Sequence, residues 1–188
     1  MEPAAFRSMV QTVLNSRGSV AQPGDVERLV SAYGASSGRD LRGVLGQLLG
    51  DFLFTCRARR LLRLRAQGGA FKYVFTQRAA RDPSPRTWGV YHSSELPFLW
   101  GASESGSIAL VPSLTPREQS LRHQMGRLWG EFAARGSIKG WPEYNSTEDV
   151  HLELSVRGGV GRAFRREQCG VWDDIWDAEE LSGRVVVL

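Results

Sequence analysis

The chain has 188 residues, of which 41% are hydrophobic, 10% aromatic and 23% charged, and its formal net charge is +4. That length suits one domain with a packed core, and the composition excludes a disordered or low-complexity protein. All 24 basic residues except Lys72 and Lys139 are arginine, but a charge of +4 spread along the chain is too weak to imply nucleic acid by itself.

No run approaches the roughly eighteen apolar residues of a membrane span. The opening Met1-Glu2-Pro3-Ala4-Ala5-Phe6-Arg7 has no apolar core followed by a small-residue cleavage site, so no signal peptide is read there.

In chain order, residues 4–15 carry a helical stripe of Phe6, Met9, Val10, Val13 and Leu14. Asp25 caps a second expected helix through Tyr33, with Val26, Leu29 and Val30 on one face. A third helical region runs from about Asp40 through Leu41, Val44, Leu45, Leu48 and Leu49 towards Arg65, with a break expected near Gly50. After Gly68-Gly69, the segment Phe71 to Thr76 is the clearest strand, rich in aromatic and β-branched residues. Asp82-Pro83-Ser84-Pro85 opens a loop that continues through Trp88 to Gly101 in short pieces. Thr115-Pro116-Arg117-Glu118 is a capping box with proline at the first helical position; its helix carries Leu121, Met125, Leu128, Trp129 and Phe132 and stops at Gly136. An alternating strand at Val150–Val156, a helix from about Phe164 to Trp176 and an apolar tail at Val185–Leu188 complete the inventory. Two strands among five or six helices read as part of an α/β layer structure.

Three histidines are candidates for chemistry. His123 flanks the apolar stripe of its helix, and His151 alternates with Leu152 and Leu154 on what reads as the polar face of its strand, so packing explains both. His92 lies in the loop after the best strand, where α/β folds place working residues. Gly34-Ala35-Ser36-Ser37-Gly38 spells the G-x-S-x-G of a serine nucleophile, but the preceding residues have helical periodicity, so it is read as a connection between helices. Ser103-Glu104-Ser105-Gly106-Ser107 lacks the flanking glycines and follows the histidine, and is rejected. Arg57, Arg59, Arg60, Arg63 and Arg65 have no interleaved aromatics for base stacking; they read as the solvated basic face of an amphipathic helix. Cys56 and Cys169 sit in no Cys/His cluster, which leaves one long-range disulfide or two buried thiols and gives no reason to expect a metal or cofactor.

Six collinear landmarks resemble the C-terminal third of the type-B carboxylesterase/cholinesterase family. Asp51-Phe52-Leu53-Phe54-Thr55-Cys56 resembles its D-x-x-F-x-C element, and Tyr73, Phe75 and Arg78 its Y-x-F-x-x-R strand. Gly89-Val90-Tyr91-His92-Ser93-Ser94-Glu95-Leu96-Pro97-Phe98 resembles the G-V-x-H-G-x-E-L-x-F segment carrying the triad histidine. Trp129 to Gly136, Trp141-Pro142-Glu143-Tyr144, and Cys169 with Trp172 resemble the three landmarks that follow. Three departures stand out: Ser93 replaces the usual glycine, Arg57 replaces a common proline, and Ala102–Val111 diverges.

The resemblance implies an α/β fold: the C-terminal part of an α/β-hydrolase sheet, two to three strands with covering helices, over residues 48–188, preceded by a weakly matching helical segment at 1–47. It implies a carboxylic-ester hydrolase in which His92 is the general base. Glu95 would be a supporting carboxylate, with an ordinary loop residue as the alternative. Cys56 and Cys169 would form the family's bridge. The small-molecule substrate is a carboxylic ester, and the serine nucleophile and acid are expected in a missing N-terminal part, so the chain alone is expected to be inactive. A non-catalytic binding or adhesion module is the alternative. Asn145-Ser146-Thr147 is a glycosylation sequon, which together with a disulfide suits a secreted or endoplasmic-reticulum protein.

Overall fold

The computed structural model describes residues 1–16, 22–35, 40–65, 69–100 and 113–181. They form two compact units, one built from Met1–Leu64 with Arg165–Leu188 and the other from Arg65–Phe164.

The first unit is helical. Helices α1 (Pro3–Asn15), α2 (Asp25–Ala32), α3 (Leu41–Gly50), α4 (Cys56–Leu64) and α7 (Arg166–Leu181) surround a core that includes Phe6, Leu29, Leu48, Phe52 and Trp172. Each such side chain contributes roughly 1.5–3 kcal/mol by leaving water. The break expected near Gly50 does not occur. The backbone continues through a π-helical turn at Asp51–Thr55 straight into α4. The wider turn shifts the helix face, so that Asp51, Phe52 and Cys56 are all buried.

Cys56 and Cys169 are joined in a disulfide that closes a separation of 113 residues. Of the two readings that composition left open, the bridge is the one found. Beside it, the Phe52 and Trp172 rings lie 5.0 Å apart, and the Tyr33 hydroxyl donates to Asp51 at 2.9 Å while accepting from Trp172 Nε1 at 3.1 Å.

Three of the five arginines read as a solvated face are covered instead, while Arg63 and Arg65 stay exposed. Arg57, Arg59 and Arg60 are buried. Arg57 donates to the Phe52 carbonyl and lies over the Phe52 and Trp176 rings. Arg59 reaches Asp173 at 2.7 Å, and Arg60 reaches Asp177 and Glu180 at 2.6 and 2.9 Å. The carboxylates that cover them lie on α7, more than a hundred residues along the chain, beyond the reach of local periodicity.

The second unit carries a three-stranded sheet, in the order β1 (Tyr73–Phe75), β2 (Val150–Leu154), β3 (Val160–Arg162). β1 pairs parallel with β2, Tyr73 opposite Leu152, and β2 pairs antiparallel with β3. Helices α5 (Leu96–Trp100) and α6 (Pro116–Arg135) belong to the same unit. The α/β class with two to three strands and covering helices is therefore what the chain adopts. β3 was not expected, because Gly158, Gly159 and Gly161 dilute its strand signal.

His151 corrects the polar-face reading: it is buried, 4% exposed, with its ring 5.8 Å from that of Phe164. Nearly every position of β2 is buried, so alternation along the strand does not separate a wet face from a dry one.

Candidate functional site

The second unit builds the His92 region from β1 outward. β1 forms because Tyr73, Val74 and Phe75 favour a pleated surface and because aromatic residues of three landmarks meet there. Tyr73 lies 5.1 Å from Trp129, Trp129 lies 5.5 Å from Trp141, and Phe71 packs edge-on to both Phe132 and Trp141. Trp141 Nε1 also donates to the Lys72 carbonyl.

Beyond β1 the chain is held by side chains rather than by a ladder. Glu118 is buried at the start of α6, where the capping box read from sequence is formed. One carboxylate oxygen accepts from the Thr115 backbone and hydroxyl, and the other accepts from the Ala80 N–H at 2.7 Å and from Gln77 Nε2. Burial alone would push this carboxyl up, but those hydrogen bonds hold it below its ordinary value.

Arg78, between Gln77 and Ala80, reaches into the next loop. Its guanidinium donates to the carbonyls of Ser84 at 2.6 Å, Gly89 at 3.1 Å and Pro85 at 3.2 Å. It also pairs with the Asp82 carboxylate at 3.3 Å. Asp82 accepts in addition from the Ser84 backbone N–H at 2.8 Å. Burial opposes ionisation here, but Ser84, Arg78 and Tyr91 together hold the Asp82 carboxyl below its ordinary value.

Gly89 has φ 62° and ψ −134°, a backbone conformation open in practice only to glycine, and it turns the chain towards His92. His92 itself is exposed, in a turn where Ser94 N–H donates to the Tyr91 carbonyl. Ser93 adopts φ 69°, the left-handed region that glycine enters most easily. Downstream the turn is pinned by α5, whose Phe98 is fully buried with its ring 5.2 Å from Phe75 of β1. Glu95 is half-buried at the end of the turn. Burial, and then the Glu95 charge, push the Tyr73 phenol up.

Asn145 is exposed in the same unit, and its Oδ1 accepts from the N–H groups of Thr147 and Glu148. The structure thus sets His92 and Glu95 on one turn, joins Cys56 to Cys169, and leaves Asn145 in a separate surface loop.

Arg78, Asp82 and Glu118 were not singled out as site residues from the sequence. The one signal was Arg78 in the strand landmark, and its acceptors are backbone carbonyls that no motif spells. Of the rejected elbow, Ser36, Ser37 and Gly38 lie outside the described residues. Gly34 and Ala35 stop helix α2, donating back to the Ser31 and Val30 carbonyls. The Ser103–Ser107 stretch, the divergent Ala102–Val111 segment and the Val185–Leu188 tail also lie outside the described residues. Among the described residues no group of three His, Cys, Asp or Glu could hold a metal ion, and no helix is long and apolar enough to cross a membrane.

A family model described as the carboxylesterase family matches residues 8–172. Acetylcholinesterase 1 of Caenorhabditis elegans is 27% identical over 152 residues, which cover 71% of this chain and 24% of that protein. Cholinesterase of Mus musculus is 27% identical over 153 residues, covering 76% of this chain and 25% of that protein. The chain spans about a quarter of the length of the curated relatives it matches.

Proposed function

The chain belongs to the carboxylesterase family, and from that premise we propose that it supplies the general-base histidine of a serine hydrolase acting on small-molecule carboxylic esters. The observation that carries this reading is His92 exposed on a turn beyond β1, with both ends of its loop anchored, by Arg78 on one side and Phe98 on the other.

In this mechanism the His92 imidazole, whose ordinary pKa is about 6.5, accepts the proton of a serine hydroxyl as that oxygen attacks the ester carbonyl. It then returns the proton to the leaving alcohol, and repeats the exchange with water to release the acid. Glu95, on the same turn, is the supporting carboxylate. The serine nucleophile and the triad acid come from polypeptide outside these 188 residues, so the chain alone has no turnover. The burial of Arg57, Arg59 and Arg60 favours this reading over nucleic-acid binding.

The disulfide requires an oxidising compartment, and glycosylation at Asn145 fits the same setting: a secreted or endoplasmic-reticulum protein. Secretory expression of the chain should give a product that shifts on deglycosylation, and Asn145→Gln should abolish the shift.

The test of His92 joins this chain to the remaining three quarters of the mouse cholinesterase in place of the matching segment. The fusion should hydrolyse p-nitrophenyl acetate, the isolated chain should stay at background, and His92→Ala in the fusion should lower kcat by about 10⁶-fold. A folded, disulfide-bonded fusion that turns over equally well with His92→Ala would remove the assignment. A folded fusion with no turnover would favour the non-catalytic binding module.

A further inference from the structure

We propose that Arg78 is the positioning residue of the His92 loop: by gathering the carbonyls of Ser84, Pro85 and Gly89 and the carboxylate of Asp82, it fixes where the imidazole stands. This rests on the reading of His92 as the base.

The segment from Asp82 to Tyr91 runs outside the sheet, with few backbone hydrogen bonds of its own among those described. The planar Arg78 fork supplies the missing donors, serving acceptors four to eleven residues away at the same time. A lysine ammonium, a point charge without that fork, cannot span them. Glu118 fixes Ala80 and Gln77 on either side of Arg78. The turn carrying His92 is thus strung between Gly89, clamped by Arg78, and Phe98, buried against Phe75. Releasing the Gly89 end frees the turn to swing, and a displacement of about 1 Å at a catalytic group costs on the order of 10²-fold in rate.

The experiment uses the 188-residue chain labelled on histidine rings and backbone amides. Arg78→Lys, Arg78→Ala and Asp82→Asn are followed by NMR and hydrogen exchange, with Arg42→Ala, an exposed arginine of the helical unit, as control. In the Arg78 variants the His92 ring resonances should shift and broaden. The amides of Trp88 and Gly89, which donate to the Pro85 and Arg86 carbonyls, should exchange at least about tenfold faster. The buried His151 ring should not move, and millimolar ethylguanidinium should restore the His92 signals of Arg78→Ala. Asp82→Asn should move the same signals less.

An unchanged His92 in Arg78→Ala, or His92 and His151 moving together in all variants, would overturn the proposal, since a general loss of packing moves both. In the cholinesterase fusion, Arg78→Lys should lower kcat by about 10–100-fold with KM within about twofold. If His92→Ala leaves that fusion active, the ester-hydrolase reading fails by itself. The NMR outcome still decides what Arg78 does.

Discussion

The imidazole of His151 packs against Gly161, its registered partner across β2 and β3, so closely that a Cβ on residue 161 would overlap Nε2 and Cε1. Gly161 is thus the space into which a large aromatic ring of the neighbouring strand fits. Gly161→Ala should expel His151 and destabilise the sheet unit by about 1–3 kcal/mol, the range for overpacking. His151→Ala in the same chain should recover part of that loss, and a double-mutant cycle by urea denaturation measures the coupling.

Burial, and then the Lys72 charge, push the His151 pKa below the ordinary 6.5, outweighing Asp149 and Glu153. The folded state therefore binds fewer protons than the unfolded chain as pH falls below about 6.5, and stability is lost progressively towards the folded pKa. Lys72 and Asp149 form a buried pair at 2.7 Å in this same region, so a second cation there has little room for compensation. Urea midpoints should fall between about pH 7.5 and 5.5 in the wild type, and His151→Leu should flatten that window. An equal slope in both proteins would show that other groups govern it.

Asp173 meets Arg59 and Arg63 at 2.7 Å each, with Arg60 at 3.9 Å. Asp173→Asn leaves the buried Arg59 guanidinium without its anion, while Arg60 keeps Asp177 and Glu180, and should cost about 3–5 kcal/mol. Because Arg59 and Asp173 are shielded, added salt should restore little of this, unlike at the exposed Arg7–Glu27 pair.

Reduction of the Cys56–Cys169 bridge reopens a long loop in the unfolded chain, and on the chain-entropy account should cost roughly 4–5 kcal/mol. Helix α7 remains tied to α4 by its ion pairs, so the reduced chain should keep its helical circular dichroism at low temperature and unfold earlier on heating. A Tm unmoved by reduction would contradict this.

Backbone conformation makes opposite predictions at two neighbouring positions of the histidine loop. Ser93→Gly should stabilise the unit by about 0.5–1 kcal/mol, by relieving a left-handed serine. Gly89→Ala should destabilise it by about 1–3 kcal/mol, because its ψ lies where side chains are strained. Thermal denaturation of the two variants, read by circular dichroism, checks both signs.

What the sequence determined by itself was whatever depends on near neighbours. The capping box at Thr115 and Glu118, the stop at Gly136, the β character of Tyr73–Phe75 and the helical stripe of α1 follow from residues within a few positions of one another. The order of the six landmarks carried the family, the placement of His92 after a strand and the pairing expected of Cys56 with Cys169.

The tertiary structure alone decided which polar groups lose water, because that depends on what arrives from elsewhere in the chain. Arg59 is buried because Asp173 comes from α7, and His151 because β3 and Phe164 cover it. Asp51 is turned inward because a π turn shifts the helix face. Arg78 holds the His92 loop through carbonyl oxygens, which every residue possesses and no sequence pattern marks. Side-chain identity fixes what a group can bond to; only folding brings it a partner and removes the water that would otherwise compete.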